Sequence, residues 1–140
     1  MSAPGRFAGR RAVITGGASG IGLGVAARLA AEGAAVCLWD RDRDAIARAV
    51  AELGASGMGL GVDIASWEEV ERAAAETVQQ LGGIDILVAS AGITGPNAVL
   101  WEYPIEAWRQ VIEVNLNGLF HCNRAVVPHM LAGGYGRIVN

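Results

Sequence analysis

The chain has 140 residues and a net charge of −3, with 52% hydrophobic and 18% charged residues. That balance supports a buried core and excludes a disordered chain, and it leaves no basic surface for a phosphate backbone, so no nucleic-acid partner is expected. Glycine is abundant, at 20 residues, but keeps no triplet period, which excludes collagen and points to many tight connections. All 11 basic residues are Arg. Cys37 and Cys122 lie far apart and form no CxxC, so free buried thiols are expected rather than a disulfide framework or a metal site. No apolar run reaches the ~18 residues of a membrane span, and Met1–Gly9 has no apolar signal core. A soluble cytoplasmic protein is the expectation.

After a short lead-in, Arg11–Ile14 runs apolar into Thr15-Gly16-Gly17-Ala18-Ser19-Gly20-Ile21-Gly22. A helix is predicted over about Gly20–Glu32, with Ile21, Val25 and Leu29 on one face and Gly33 as its stop. Ala34–Trp39 reads as a buried strand ending in Asp40. Arg41–Leu53 is predicted helical, with Ile46, Ala49, Val50 and Leu53 as its apolar stripe. Gly57–Val62 is a third strand, with Asp63 at its end. Ser66-Trp67-Glu68-Glu69 is a capping box that starts the next helix, which Gly82-Gly83 terminates. Ile84–Ala89 is the fourth strand, followed by Ser90-Ala91-Gly92 and a loop to Pro104. One long helix, about Ile105–Leu131, is expected next, with Pro128 kinking its last turns. Tyr135–Asn140 opens a fifth strand.

Strands alternating with helices predict an α/β fold: a Rossmann-like, doubly wound parallel sheet of strand order 3-2-1-4-5. No repeat or linker interrupts residues 1–140, so one dinucleotide-binding domain is expected. Gly16, Gly20 and Gly22 let the first turn bend tightly and approach a ligand. The following helix points free N–H groups and its positive dipole end at the same place, where a pyrophosphate fits. A purely structural turn would use the same glycines. No Gly-Lys-Ser/Thr follows, which excludes a P-loop. Asp40 stands 18 residues after Gly22, where an acceptor for the adenosine ribose is expected. Its carboxylate repels a 2′-phosphate and favours NAD over NADP. Arg41 beside it would accept that phosphate, and a plain helix cap is the other role open to Asp40. Asp63 sits at the same sheet edge, as an adenine contact or as a cap.

These residues resemble the short-chain dehydrogenase/reductase family, in its compact form. Thr15–Gly22 is similar to the TGxxxGIG motif, and Asp40 and Asp63-Ile64 match the ribose and adenine positions. Leu87-Val88-Ala89-Ser90-Ala91-Gly92-Ile93 resembles the NNAG motif, with Ala89 and Ser90 where Asn is usual. Val114-Asn115-Leu116-Asn117-Gly118 resembles the helix motif with a catalytic Asn, which would be Asn115. The resemblance implies that its main chain holds a water in a proton relay and its side chain bends the helix. A hydrogen bond from Asn115 to a neighbouring element is the simpler alternative. The cofactor-binding set so implied is Thr15, Gly16, Ser19, Gly20, Ile21, Gly22, Asp40, Arg41, Asp63, Ile64, Ser90, Ala91 and Gly92. No metal is expected.

The resemblance implies hydride transfer between NAD and a small alcohol or ketone, by a Ser and a Tyr-x-x-x-Lys pair. The chain has no Lys, and Tyr103 and Tyr135 are followed four residues on by Ala107 and Val139. The 140 residues therefore read as the cofactor-side piece of a longer enzyme, inactive alone, whose full-length form is a homodimer or homotetramer. A dinucleotide-binding module and a non-functional remnant are the competing readings. The loop Ile93–Pro104 resembles both 3-oxoacyl-carrier-protein reductases and 2-keto-3-deoxy sugar acid dehydrogenases, and Asp40 favours the second. His121 and His129, eight residues apart, have the wrong spacing for a helical metal pair and are assigned to packing or surface.

Overall fold

A computed structural model describes residues 3–140. Five short strands form one parallel sheet: β1 (Arg11–Thr15), β2 (Ala35–Asp40), β3 (Gly57–Gly61), β4 (Ile86–Ala89) and β5 (Arg137–Val139). Their order is β3-β2-β1-β4-β5, as the strand–helix alternation predicts. The helices are α1 (Gly20–Ala31), α2 (Arg43–Leu53), α3 (Trp67–Leu81), α4 (Ile105–Ile112) and α5 (Leu119–Gly133).

Register sets the two cores. Val13 lies opposite Cys37 on one side and Leu87 on the other, and this row faces α3 and α5 with Val70, Ala74, Cys122 and Val126. Ile14 lies opposite Leu38 and Val88, and that row faces α1 and α2 with Ala26, Leu29, Ile46 and Ala49. Burial on both faces is what the continuous apolar strands require. Trp39 is the largest fully buried side chain. At ~25 cal/mol per Å², its burial contributes about 4–5 kcal/mol. Its indole N–H donates to Thr77 Oγ1 at 3.1 Å, so no polar atom is stranded.

The opposite edge of the sheet is tied by Arg11 and Asp85. Arg11 Nε and Nη2 donate to the two Asp85 oxygens at 2.7 and 2.9 Å, and the Arg11 backbone N–H adds a third bond at 2.9 Å. The Arg11 guanidinium holds the buried Asp85 carboxyl below its ordinary range, outweighing desolvation. Burial pushes the Cys37 thiol up to about 11 and the Cys122 thiol up to about 12.

Several local details depart from the sequence-based expectation: Ile21, expected on the apolar face of α1, is exposed, and β4 starts at Ile86 rather than Ile84. Helix α2 starts at Arg43 rather than Arg41, because Asp42 is its cap and accepts the Ala45 N–H at 2.9 Å. The capping box of α3 is half made. Ser66 Oγ accepts the Glu69 N–H at 3.3 Å, but the Glu69 carboxylate turns to the Asp63 N–H at 2.8 Å. The stretch expected as one long helix divides into α4, a π-helical turn over Glu113–Gly118, and α5, which runs through Pro128. Asn115 lies in that turn. Its side chain is bound outside the helix, and the π turn re-aims it toward its partner.

Candidate functional site

The carboxyl ends of β1, β2, β3 and β4 open into one cleft of about 370 Å³. The turn after β1 and the start of α1 supply Gly16, Ser19, Gly20, Ile21 and Gly22; the end of β2 and the residue after it supply Asp40 and Arg41; the loop after β3 supplies Asp63 and Ile64; the loop after β4 supplies Ser90, Ala91 and Gly92. Ligand sites in open α/β sheets lie at this edge.

The turn after β1 needs its glycines for geometric reasons. Gly16 has φ +61°, and a Cβ there would stand 2.9 Å from Ala91 Cα. A Cβ on Gly22 would run into the carbonyl oxygen of Gly16. Gly20 differs: its φ is +53°, yet a Cβ there would meet nothing within 4 Å. It borders open space that a ligand can enter.

Helix α1 has no side-chain cap from Ser19 and no acidic residue in its first turn, whereas α2 and α3 have both. The Ser19 carbonyl accepts the Leu23 N–H at 3.0 Å. The N–H groups of Gly20, Ile21 and Gly22 precede that first helical bond and remain for an outside acceptor. Their partial charge and direction suit an anion such as a phosphate.

Asp40 closes the other end. Its carboxylate accepts the Ala18 N–H at 3.2 Å and the Asp42 N–H at 3.1 Å. It lines the cleft and does not cap α2. A carboxylate accepts about four hydrogen bonds, so capacity remains for a pair of hydroxyls. Asp63 does not cap α3 either: its carboxylate accepts the Ala65 N–H at 3.0 Å and shapes the loop. Thr15 lies beneath the cleft, 1% exposed, and its hydroxyl accepts the Ala91 N–H at 3.1 Å. It ties β1 to the loop after β4 and is not part of the lining. Asn115 clamps the same loop further along. It accepts the Ile93 N–H at 2.9 Å and donates to the Ile93 carbonyl at 2.8 Å.

Trp39, Val62, Ile93 and Val114 also line the cleft and were not in the expected cofactor-binding set. Each adjoins a residue that was singled out, which was the signal available. Among the described residues, no group of three His, Cys, Asp or Glu side chains is placed to hold a metal ion, and no helix is long and apolar enough to cross a membrane.

A profile described as short chain dehydrogenase matches residues 10–140. The chain belongs to this family. It is 53% identical over 136 residues to 2-dehydro-3-deoxy-L-rhamnonate dehydrogenase (NAD(+)) of Sphingomonas sp. (strain SKA58), covering 97% of this chain and 54% of that one. It is 41% identical to cis-4-hydroxycyclohexanecarboxylate dehydrogenase of Sinomonas cyclohexanicum, over 96% of this chain and 55% of that one. Among solved structures, NAD+-bound xylitol dehydrogenase superposes with a TM-score of 0.94 at 36% identity, covering 96% of this chain and 53% of its own. A 3-ketoacyl-(acyl-carrier-protein) reductase from Brucella melitensis complexed with NADH superposes at 0.89 and 32% identity, covering 91% and 53%. The chain thus spans about half the length of these short chain dehydrogenase relatives.

Proposed function

We propose that the chain is the NAD(H)-binding part of an oxidoreductase acting between a small secondary alcohol and its ketone. The observation that carries this reading is the pairing, across one cleft, of an uncapped, acid-free α1 N-terminus with the Asp40 carboxylate. A dinucleotide presents a pyrophosphate to the first and ribose hydroxyls to the second. Gly20, Ile21 and Gly22 hold the pyrophosphate, with Gly16 and Ser19 shaping the turn. Asp40 accepts from the adenosine ribose and excludes a 2′-phosphate, so NAD is favoured over NADP, with Arg41 beside it. Asp63 and Ile64 wall the adenine; Ser90, Ala91 and Gly92 approach the second ribose. The nicotinamide, when bound, supplies or takes the hydride. Asn115 fixes the Ile93 backbone at that end of the cleft.

The 53% identity to a 2-dehydro-3-deoxy-L-rhamnonate dehydrogenase supports a 2-keto-3-deoxy sugar acid, rather than a carrier-protein thioester, as the substrate class. With no Lys and no Tyr-x-x-x-Lys in its 140 residues, the chain by itself binds the dinucleotide without turning over an alcohol. The test is a fluorescence titration of the chain with NADH and NADPH. Asp40→Ala should weaken NADH about tenfold, the loss of one hydrogen bond to a charged group, and narrow the preference over NADPH. Unchanged NADH affinity in that variant defeats the ribose assignment. Oxidation of a sugar acid by the 140-residue chain defeats the inactivity.

A further inference from the structure

The adenine wall of the cleft, Asp63 and Ile64, belongs to a loop braced from two helices. Glu69 on α3 accepts the Asp63 N–H at 2.8 Å. From α5, His121 Nδ1 lies 2.9 Å from the Ile64 carbonyl oxygen. A carbonyl only accepts, so Nδ1 carries the proton and donates. The bond joins residues 57 apart in sequence. One turn earlier, Gly118 brings the helix backbone so close that a Cβ there would stand 2.7 Å from Ile64 Cγ1. The imidazole is packed edge-on to Trp67 with ring centroids 6.0 Å apart and lies beside Phe120 at 6.1 Å.

We propose that His121 is a positioning residue for the adenosine end of the cleft, acting through the Ile64 carbonyl. This rests on the reading of the cleft as a dinucleotide site. The backbone of Ile64 carries the bond to His121 while its residue lines the cleft, so loss of the donor lets the wall move and costs the ligand's adenosine half its fit.

A crossed pair of variants separates donor from ring. His121→Phe keeps an aromatic ring against Trp67 and removes the N–H; His121→Asn loses the ring and keeps a donor near the Nδ1 position. ADP and NADH are titrated against the full chain, with a thermal melt on each variant. His121→Phe should weaken ADP and NADH by the same factor, about three- to tenfold, as expected for one hydrogen bond. His121→Asn should stay within about twofold of the parent, less than that one bond is worth. Should His121→Phe fail to fold, His121→Leu carries the same arm. Retained ADP affinity in His121→Phe overturns the proposal, as does a His121→Asn as weak as His121→Phe, which would assign the effect to ring packing. If the parent chain binds neither ADP nor NADH, the dinucleotide reading itself fails, an outcome distinct from either.

Discussion

Gly20 and Gly22 stand two residues apart in the same turn, and the structure assigns them opposite failures. Gly20 has φ +53°, and an added Cβ meets nothing within 4 Å. Gly20→Ala therefore costs only the left-handed backbone penalty of an L-residue, ~1–2 kcal/mol. In a domain of this size that lowers Tm by roughly 3–8 °C. The new methyl, however, occupies the open space before the α1 N–H groups. Losing even one phosphate hydrogen bond, ~1.5 kcal/mol or more for a charged acceptor, weakens NADH by at least about tenfold. In Gly22→Ala the Cβ is driven onto the Gly16 peptide, 2.9 Å from its carbonyl carbon. Backbone pressed on backbone has no flexible partner to yield, so the cost is about 3 kcal/mol or more. Thermal melts paired with NADH titrations read both effects. A folded Gly20→Ala that binds NADH like the parent refutes the phosphate assignment. A Gly22→Ala as stable as Gly20→Ala refutes the packing argument.

Asp85 predicts an acid limb. Its folded carboxyl titrates below the ordinary 3.8, so the Arg11 pairing is fully stabilising above that value and is lost as pH falls through the lower folded one. Tm against pH should drop there, and Arg11→Ala should cost about 3 kcal/mol at neutral pH by leaving a buried carboxylate poorly paired. An Arg11→Ala melt superimposable on the parent contradicts this. The thiols make a second check. With Cys37 at about 11 and Cys122 at about 12, both fully buried, neither should react with iodoacetamide at about pH 8, near an ordinary thiol pKa. Both should react in guanidinium, and mass spectrometry showing native alkylation at either would count against the packing.

What the sequence made legible was local or periodic. The strand order followed from apolar runs alternating with helical stripes, because each element declares its period within a dozen residues. Ser66 and Gly82 marked the ends of α3 for the same reason, since a cap acts within one turn. That Asp40 and Asp63 stand at the cleft was legible from their positions at strand ends. A bend at Asn115 was expected only from the family resemblance, and its form as a π turn over Glu113–Gly118 was not legible, because the side chain's partner, Ile93, lies 22 residues away. The bond from His121 to Ile64 spans a still longer separation and had no local trace. Glu69 misled the capping-box reading because two backbone N–H groups compete for its carboxylate, and only the fold brings Asp63 near enough to win.

The treatment of helix starts ties fold to function. An N-cap stabilises a helix by ~1 kcal/mol, and an acidic first turn adds ~0.3–1 kcal/mol. Helices α2 and α3 take both contributions; α1 takes neither. It also leaves Ile21, in that same first turn, 83% exposed at the cleft. A chain selected for stability alone has no reason to leave its first helix about 1–2 kcal/mol short while it caps the next two. A ligand that binds only the folded state repays such a deficit, by ~2.7 kcal/mol at a hundred times its Kd. Helices α4 and α5 also lack a side-chain cap, but among the described helices it is the first turn of α1 that lines the cleft, across from Asp40. On the proposed reading the uncapped start of α1 is the place of a phosphate, and binding of the dinucleotide to the folded chain would restore the stability that α1 lacks alone.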